Sequence, residues 1–340
     1  MNLDGKFSQK KASFSAHLMA SLFVIGGTGF FGKSILDAFQ RNLLEKWDVD
    51  NLIIMARNPD ELQRNHSQLI TSKVKLLKGD IATINELPFA DYVIHAAASA
   101  DARNYHLAPL KERSNIIRGT LNYCKLAKEF HQKSKIVYVS SGAVYGPQPH
   151  DLEKIPENFI FLDADQLHED KRDYAYAKRD SEKAILDLGL SGLNVSIARC
   201  FAFIGPWLPL DQHFAIGNFI NDGLNCRSIN VKAKHKVYRS YMYADDLVEW
   251  LMTIAEKSRT SSPLYNVGSD QSILIDELAQ KISTIFGQNA PIYSHESDYI
   301  DRYVPNIDKA KNELNLKNKY HLDDAIRLTI KLLKQRNIYV

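Results

Sequence analysis

Short apolar runs rich in β-branched residues alternate with segments of helical periodicity up to about residue 200. Such runs predict buried strands, and apolar residues spaced three and four apart predict helices. The predicted strands are Leu22–Gly26, Asn51–Ala56, Val74–Lys78, Tyr92–Ala96, Lys135–Ser140 and Val195–Cys200, and the predicted helices are Gly32–Glu45, Asp60–Gln68, Arg113–His131 and Tyr174–Leu188. This alternation indicates an α/β fold in which helices cover both faces of a doubly wound parallel sheet.

The alternation loosens after about Phe201, where prolines and glycines interrupt short elements. Such punctuation is typical of a smaller lobe attached to a sheet. Helices are predicted there at His213–Gly223, Ala244–Lys257, Ile275–Phe286 and Leu322–Lys334. We expect a disordered leader at residues 1–20, a main domain at 21–200 and a smaller mixed α/β lobe at 201–340, whose late strands and helices can return to the main domain. The aperiodic stretch Pro147–Lys171 predicts a long loop over the carboxyl ends of the strands, where loops commonly shape substrate sites.

The composition of the 340 residues, 45% hydrophobic and 24% charged, is that of an ordinary globular protein. The formal net charge of +3 is spread along the chain, so nothing indicates nucleic-acid binding. Cys124, Cys200 and Cys226 are far apart, which favours a reducing cytoplasm over a disulfide framework or a zinc site. No stretch approaches the roughly 18 apolar residues that span a membrane, and the polar start argues against a secretory signal. We therefore expect a cytoplasmic protein without a metal ion.

The segment SLFVIGGTGFFGKS, which begins at Ser21, fits two nucleotide-binding patterns at once. Gly26, Gly29 and Gly32 have the spacing of a dinucleotide-binding turn, which is typical of a Rossmann-type sheet. From Gly27 onward, the same segment satisfies the P-loop pattern of a nucleotide triphosphatase. Both patterns place a phosphate at a helix N-terminus, where free N–H groups and the helix dipole attract anions.

The ends of the predicted strands favour the dinucleotide turn. A P-loop enzyme also needs an aspartate that closes an apolar strand and holds magnesium. The predicted strands run instead into Arg57, Gly79, Ala97, Ser141 and Phe201. The two bulky rings of Phe30 and Phe31 are also poorly suited to a loop that wraps tightly around phosphates. We therefore interpret the segment as a dinucleotide turn.

A serine, a tyrosine and a lysine form a candidate catalytic set. Ser141 follows a predicted strand, at the end where parallel strands present their chemistry. Tyr174 and Lys178 are four residues apart in a predicted helix, so their side chains share one face. An ammonium beside a phenol lowers the phenol pKa from about 10 towards working pH, which makes tyrosine a usable acid or base for interconverting an alcohol and a ketone. Tyr176 lies on another face and is the weaker candidate, and a Tyr-x-x-x-Lys pair alone is most often structural.

With these residues in place, the chain resembles the extended short-chain dehydrogenase/reductase superfamily, and within it the nucleotide-sugar epimerase, dehydratase and reductase group. The resemblance covers about Leu22 to Lys317 and rests on the order and spacing of motifs that are each weak alone. Besides the glycine turn and the Ser141…Tyr174-x-x-x-Lys178 set, these motifs are Lys78-Gly79-Asp80-Ile81, Val93-Ile94-His95-Ala96-Ala97-Ala98, Asn115-x-x-x-Gly119-Thr120-x-Asn122, Ser140-Ser141-x-x-Val144-Tyr145-Gly146, Arg199-x-Phe201-x-x-x-Gly205-Pro206, Arg239-Ser240-Tyr241 leading to Asp246-Leu247, and Tyr265-Asn266-x-Gly268.

The resemblance implies a site for a nicotinamide dinucleotide and a nucleotide sugar. Asp80 would accept a hydrogen bond from the adenine amino group, with Ile81 against the ring, and Lys178 would hold the nicotinamide ribose. Ser141 would bind the substrate oxygen that Tyr174 protonates or deprotonates. The small side chains after the fourth strand would admit the cofactor, although tight helix–strand packing explains them as well. The implied cofactor-binding residues are Gly26, Thr28, Gly29, Phe30, Phe31, Gly32, Arg57, Asp80, Ile81, Ala96, Ala97, Ala98, Tyr174 and Lys178.

Three arginines and an asparagine extend the implied site. Arg57 follows the second strand, where NAD enzymes of this kind carry an acid for the ribose 2′-hydroxyl; a guanidinium can instead bind a 2′-phosphate. NADP(H) is therefore favoured and NAD(H) is the alternative, with a solvated arginine at the following Asn-Pro turn as the other interpretation. Arg239 and Arg302 match arginines that grip the diphosphate of a nucleotide sugar, and Asn218 is a further candidate contact. A surface or ion-pair role stays open for Arg239 and Arg302.

Three small residues distinguish this chain from branches of the group. Dehydratases carry an Asp-Glu pair where Gly142 and Ala143 stand, and decarboxylases also carry a glutamate where Ala143 stands. Epimerases commonly carry an asparagine where Ala202 stands. Since glycine and alanine have no proton to exchange, these positions predict neither dehydration nor decarboxylation, and Ala202 disfavours epimerisation.

The sequence thus predicts reduction at C4 of a 4-keto-6-deoxy sugar that is linked to dTDP or CDP. The alternative is a nucleotide-sugar 4-epimerase with tightly bound NAD, and a non-catalytic dinucleotide sensor is the least favoured. By the resemblance, the chain would form a homodimer through the helices Arg113–His131 and Tyr174–Leu188. Apolar residues of the first of these helices would serve equally well as intramolecular core.

Overall fold

The structure, a computed structural model, describes residues 19–98, 107–167, 169–212, 214–293 and 296–336. The predicted leader up to residue 18 lies outside the described residues, and so does the first residue of the predicted helix at 213–223. Within the described ranges, no helix combines the length and apolar character needed to cross a membrane.

Up to β6, the strands and helices follow one another in the predicted alternation, and the strands after β6 were not among those predicted. The strands are β1 (Ala20–Ile25), β2 (Val49–Ala56), β3 (Val74–Lys78), β4 (Tyr92–His95), β5 (Lys135–Ser141), β6 (Asn194–Cys200), β7 (Phe203–Ile204), β8 (Asn230–Val231), β9 (Lys236–Arg239), β10 (Met242–Tyr243), β11 (Leu264–Val267), β12 (Ile273–Leu274), β13 (Ile292–Tyr293) and β14 (Ile300–Tyr303). The helices are α1 (Phe30–Gln40), α2 (Asp60–Asn65), α3 (Pro109–Phe130), α4 (Glu169–Leu190), α5 (Ala215–Leu224), α6 (Ala244–Glu256), α7 (Ile275–Phe286), α8 (Asp308–Leu314) and α9 (Leu322–Arg336).

Helix ends differ from the prediction more than strand ends do. Helix α1 ends five residues before the predicted Glu45, because Asn42 adopts a left-handed backbone with φ of 60° that an α-helix does not accommodate. Helix α4 begins five residues before the predicted Tyr174, within the segment that was expected to be loop. These differences do not change the order of elements.

The main sheet is parallel and has seven strands in the order β11-β6-β5-β4-β1-β2-β3. Alternate residues of β1 point to opposite faces: Leu22 and Val24 join a core cluster with α1 and α6, whereas Phe23 and Ile25 join a second cluster with α3 and α4. Helices therefore cover both faces, and the predicted α/β fold is confirmed.

A smaller lobe carries its own core and short sheets. Strands β12, β9 and β14 form one sheet, and α5, α7 and α9 enclose a separate apolar cluster. The chain also returns to the main sheet, since β11 pairs with β6 and α6 packs over β4 and β5. Residues after Phe201 thus contribute both to the smaller lobe and to the main domain.

The strand order reverses between β1 and β4: from β1 the chain first continues to β2 and β3 on one side, and then to β4, β5 and β6 on the other side. In open α/β sheets, ligands bind at the carboxyl ends of the strands beside such a reversal. Because β1, β4, β5 and β6 are parallel, the turns that follow them, with their candidate residues, lie at the same edge of the sheet.

Candidate active site

The glycine turn has the close backbone contacts that a dinucleotide turn requires. Gly26 has a φ of 96°, and a Cβ there would lie 2.7 Å from the Ala97 Cα. A Cβ at Gly32 would lie 2.1 Å from the Gly27 carbonyl oxygen, so this glycine lets α1 pack against the turn. Any larger side chain at these two positions would push the strand and the helix apart.

The N-terminus of α1 fits a bound anion. Gly29 caps this helix without a side-chain hydrogen bond, and the first turn contains no acidic residue. A Cβ at Gly29 would meet only the Gly26 carbonyl oxygen, at 3.9 Å, so the space beside Gly29 is open. The helix therefore presents free N–H groups to that space, which suits the diphosphate of a dinucleotide. Thr28, the remaining turn residue, is half-buried.

Phe30 and Phe31 use their rings for packing between the two lobes. Their ring centres lie 6.2 and 5.5 Å from that of Phe203 in β7. Lys33 and Ser34, which completed the P-loop pattern, also contact other parts of the protein: Ser34 is buried, and the Lys33 ammonium lies 6.0 Å from the Trp207 ring centre.

The loop after β3 is fixed by hydrogen bonds. Asp80 accepts a hydrogen bond from the Ala82 N–H at 2.9 Å, and Ile81 is buried. Asn122 on α3 donates to the carbonyls of Ile81 and Ile84, both at 2.8 Å. This contact explains the matching asparagine of α3, to which the sequence assigned no role. The half-buried Ala96, Ala97 and Ala98 follow β4, and the backbone of Ala96 and Ala97 lies against Gly26 of the glycine turn.

The candidate catalytic residues converge where β5 meets α4. The Ser141 Oγ accepts a hydrogen bond from the Ala143 N–H at 3.2 Å, and it lies close enough to the half-buried Tyr174 phenol to act on the pKa of that phenol. Lys178 lies one helical turn later, with its ammonium 5.9 Å from the Tyr174 ring centre. Buried Lys178 also donates to the Val139 carbonyl at 2.8 Å. The structure thus brings together the three residues that the sequence singled out.

The pKa of Tyr174 does not follow the simple expectation. Burial raises the pKa of the phenol, and the Lys178 charge and the Ser141 hydrogen bond lower it by less. The net direction is upward, because removing a phenolate from water costs more than one nearby ammonium recovers. Before ligands bind, Tyr174 is therefore a proton donor at neutral pH.

A second tyrosine reaches the same serine. The Tyr303 Oη lies 3.3 Å from the Ser141 Oγ, and its ring centre lies 4.6 Å from that of Phe201. Tyr303 belongs to β14, 162 residues after Ser141, so no local spacing pointed to this contact. Tyr303 was therefore not among the predicted site residues, although the preceding Arg302 was.

The space beside Gly142 is filled by an aromatic ring. A Cβ at Gly142 would lie 2.6 Å from the Cζ of Phe201, closer than real Cβ contacts come. Phe201 in turn is packed between Tyr303 and Tyr145. An acidic side chain at position 142 would therefore require this whole ring cluster to move.

A buried ion pair holds the end of β5. Glu182 on α4 binds Arg199 on β6, with the Nη2 and Oε2 atoms 2.7 Å apart, and also accepts a hydrogen bond from the Ser140 hydroxyl at 2.5 Å. The Arg199 guanidinium lies 4.7 Å from the ring centre of Tyr145. Three elements are thereby fixed around the residue that precedes Ser141.

The structure does not bring the two predicted diphosphate arginines together. In the parallel pair of β9 and β14, Arg239 stands opposite Tyr303 and Arg302 stands opposite Tyr238. Neighbouring positions of a strand point to opposite faces, so Arg239 faces the Ser141 side and Arg302 faces away. Arg239 pairs with Asp301 at 2.6 Å, while Arg302 lies 4.2 Å from the Tyr238 ring centre.

The positions of Arg57 and Asn218 do not by themselves define a role. Arg57 is exposed directly after β2, at the carboxyl edge of the sheet, and Asn218 is half-buried on α5. Among the described residues, no group of three or more His, Cys, Asp or Glu side chains could hold a metal ion.

Residues 22–268 match the sequence profile of the NAD dependent epimerase/dehydratase family. The protein belongs to this family. Among curated relatives, UDP-glucuronic acid decarboxylase 6 of Arabidopsis thaliana is 28% identical over 314 residues, which are 90% of this chain and 87% of the relative.

Solved structures of similar proteins have the same fold. The UDP-glucose 4-epimerase of Thermotoga maritima, with UDP-glucose, superposes with a TM-score of 0.76 at 19% identity and covers 93% of this chain and 99% of its own. The dTDP-glucose 4,6-dehydratase DesIV of Streptomyces venezuelae, with NAD, has a TM-score of 0.78 at 19% identity and covers 94% and 98%.

The family is NAD-dependent by its description, and DesIV contains NAD. The cofactor class predicted from the glycine turn therefore agrees with the family. The finer preference for NADP, which rests on Arg57 alone, is supported neither by the family description nor by the NAD in DesIV.

Proposed function

We propose that this protein reduces the C4 ketone of a 4-keto-6-deoxy sugar that is linked to dTDP or CDP. The convergence of Ser141, Tyr174 and Lys178 at the carboxyl edge of the sheet carries this proposal. A serine hydroxyl, a phenol and an ammonium in this arrangement suit proton transfer to a carbonyl oxygen. The family and the nucleotide-sugar names of its members support the substrate class.

Each of the three residues has a distinct task in this reaction. The nicotinamide dinucleotide supplies the hydride that C4 accepts. Ser141 orients the ketone, since its Oγ is already held by the Ala143 N–H. Tyr174 donates the proton to the same oxygen, and its raised pKa keeps that proton available at neutral pH. Lys178 stabilises the phenolate that results.

The turn after Ser141 disfavours the dehydratase and decarboxylase branches. The curated relatives include UDP-glucuronic acid decarboxylases, yet Ala143 stands where that branch carries a glutamate. At the preceding position, the Phe201 ring occupies the space that a dehydratase acid would need. Neither Gly142 nor Ala143 can take or give a proton, so this turn fits reduction better than dehydration or decarboxylation.

A 4-epimerase with tightly bound NAD is the alternative, because the same serine, tyrosine and lysine would serve its two hydride transfers. Ala202 and Arg57 favour the reductase over this alternative. An epimerase holds its cofactor through the whole cycle, whereas a reductase exchanges it after every turnover. This difference can be measured directly.

The decisive experiment is a panel of nucleotide sugars assayed with NADPH and with NADH. Consumption of the reduced cofactor only with 4-keto nucleotide sugars supports the reductase. The purified protein is also denatured and its supernatant tested for nicotinamide; retained NAD, with interconversion of C4 epimers, would establish the alternative instead. Cofactor binding without turnover of any sugar would indicate a non-catalytic sensor.

We expect Arg57→Ala to weaken the binding of NADPH and to leave the binding of NADH unchanged. Losing a guanidinium–phosphate contact would raise the KM for NADPH by about 10- to 100-fold. Arg64→Ala, which removes an exposed arginine from the nearby α2, is the matched control and should change neither KM. Equal KM values for the protein and Arg57→Ala would show that Arg57 is a solvated turn residue.

We further propose that the chain forms a homodimer through the outer faces of α3 and α4. Leu110 and Leu121 on α3 are 73% and 54% exposed, and Leu190 on α4 is 83% exposed, which is unusual for leucines on two helices packed side by side. Leu121→Asp should halve the mass measured by light scattering. Leu43→Asp, at an exposed leucine outside these helices, should leave the dimer intact. A monomeric unmodified protein would contradict this assembly.

A further inference from the structure

The Lys178 ammonium contacts the buried phenol of Tyr138, which was not among the predicted site residues. The ammonium lies 3.3 Å from the Tyr138 hydroxyl oxygen and 4.9 Å from the centre of the same ring. Tyr138 is fully buried in β5, three residues before Ser141. One strand therefore carries both the candidate catalytic serine and the support of the candidate catalytic lysine.

Two other hydroxyls lie beside the Tyr138 hydroxyl. They belong to Ser181 and Thr120, whose oxygen atoms lie 3.1 Å from each other, and both act to lower the pKa of the Tyr138 phenol. Thr120 also donates to the Ile116 carbonyl at 3.0 Å. Ser181 and Thr120 are each 1% exposed, so water does not compete for these bonds. A phenol with these buried neighbours has little freedom to turn away from Lys178.

The surroundings leave Lys178 without a carboxylate partner in the part of the chain that the structure describes. Glu182 is engaged by Arg199 and Ser140. Burial, reinforced by the Lys178 charge, lowers the pKa of His95 to about 3, so this neighbour is neutral. The titratable groups that face Lys178 and Tyr174 from the surrounding elements are His95, Tyr138, Glu182, Cys200 and Tyr303. The ammonium is thus held by dipoles, the Val139 carbonyl and the Tyr138 phenol, more than by a counter-charge.

We propose that Tyr138 is a positioning residue that fixes the Lys178 ammonium beside Tyr174. The phenolic oxygen accepts from the ammonium, and the ring beneath it adds a cation–π contact. This inference rests on the proposed function for the roles of Lys178 and Tyr174. It assigns to Tyr138 no contact with substrate.

Tyr138→Phe tests the proposal, since it keeps the ring and removes only the hydroxyl. Weaker support of the ammonium should move the ionisation of Tyr174 to higher pH. The measurement is tyrosinate absorbance during a pH titration, taken as the difference between each protein and its Tyr174→Phe counterpart. We expect kcat at fixed pH in the alcohol-oxidising direction to fall about tenfold, the scale of one hydrogen bond to a charged group, with KM unchanged.

Tyr123→Phe is the matched control. Tyr123 is equally buried, and its hydroxyl hydrogen-bonds with His131, away from Lys178. This variant should leave both the Tyr174 titration and kcat as they are. An equal shift in Tyr123→Phe, or no shift in Tyr138→Phe, would overturn the proposal.

Ser181→Ala provides a second variant if Tyr138→Phe does not fold. It keeps the phenol and removes one of the hydroxyls beside it, so a smaller shift in the same direction is expected; an unmoved titration would count against the proposal. The titration needs no sugar substrate. A failure of the proposed function would therefore appear as absent turnover in the unmodified protein, separately from the outcome for Tyr138.

Discussion

Tyr174→Phe is expected to abolish turnover while cofactor binding stays intact. The substitution keeps the ring but removes the proton that the C4 oxygen must receive. Loss of a positioned general acid costs typically 10²- to 10⁴-fold in rate. The measurement is kcat, followed by nicotinamide absorbance, together with cofactor affinity from fluorescence quenching.

Tyr176→Phe is the control for this experiment. Tyr176 lies on the same helix but donates its hydroxyl to Asp163 at 2.9 Å, away from Ser141. Full activity is expected for this variant. If Tyr174→Phe were fully active, or Tyr176→Phe inactive, the assignment of the proton donor would be wrong.

The direction of the Tyr174 pKa also predicts a pH dependence. Burial raises this pKa, so the phenol stays protonated at neutral pH and above. Reduction uses the protonated form, and its rate should therefore be insensitive to pH near neutrality and fall only in alkaline solution. The reverse reaction, oxidation of the alcohol, uses the phenolate, so its rate should rise as the pH increases from neutral to alkaline.

Glu182→Ala is expected to cause the largest loss of stability. It leaves the Arg199 guanidinium, 6% exposed in its side chain, without its carboxylate and also removes the acceptor of the Ser140 hydroxyl. Breaking a buried ion pair on one side costs about 3–5 kcal/mol. Urea denaturation followed by circular dichroism measures the change in the free energy of unfolding.

Two comparisons make this prediction specific. Asp50→Ala removes half of an exposed ion pair with Lys73, and it should change the free energy of unfolding by less than about 1 kcal/mol. The double variant Glu182→Leu with Arg199→Leu removes both charges and should recover much of the stability that Glu182→Ala loses. A loss below about 1 kcal/mol for Glu182→Ala would mean that Arg199 finds another partner.

Six of the seven strands of the main sheet could be predicted because each of their signals is local, whereas β11 was not among the predicted strands. Strand runs such as Val74–Lys78 and the glycine spacing after β1 depend on neighbours within a few residues. Parallel strands must also bring their carboxyl ends to one edge, so Ser141 could be placed near the glycine turn without coordinates. The proximity of Tyr174 and Lys178 could be predicted because residues four apart in a helix lie on the same face.

The sequence by itself therefore determined the fold class, the dinucleotide turn and the candidate catalytic set. Only the tertiary structure decided that Tyr303 touches Ser141, that Phe201 fills the space beside Gly142, and that Arg239 and Arg302 face opposite ways. It also decided the direction of the Tyr174 pKa, because burial depends on everything packed around the phenol. Contacts between residues far apart in the chain depend on how the lobes pack, and neither periodicity nor spacing carries that information.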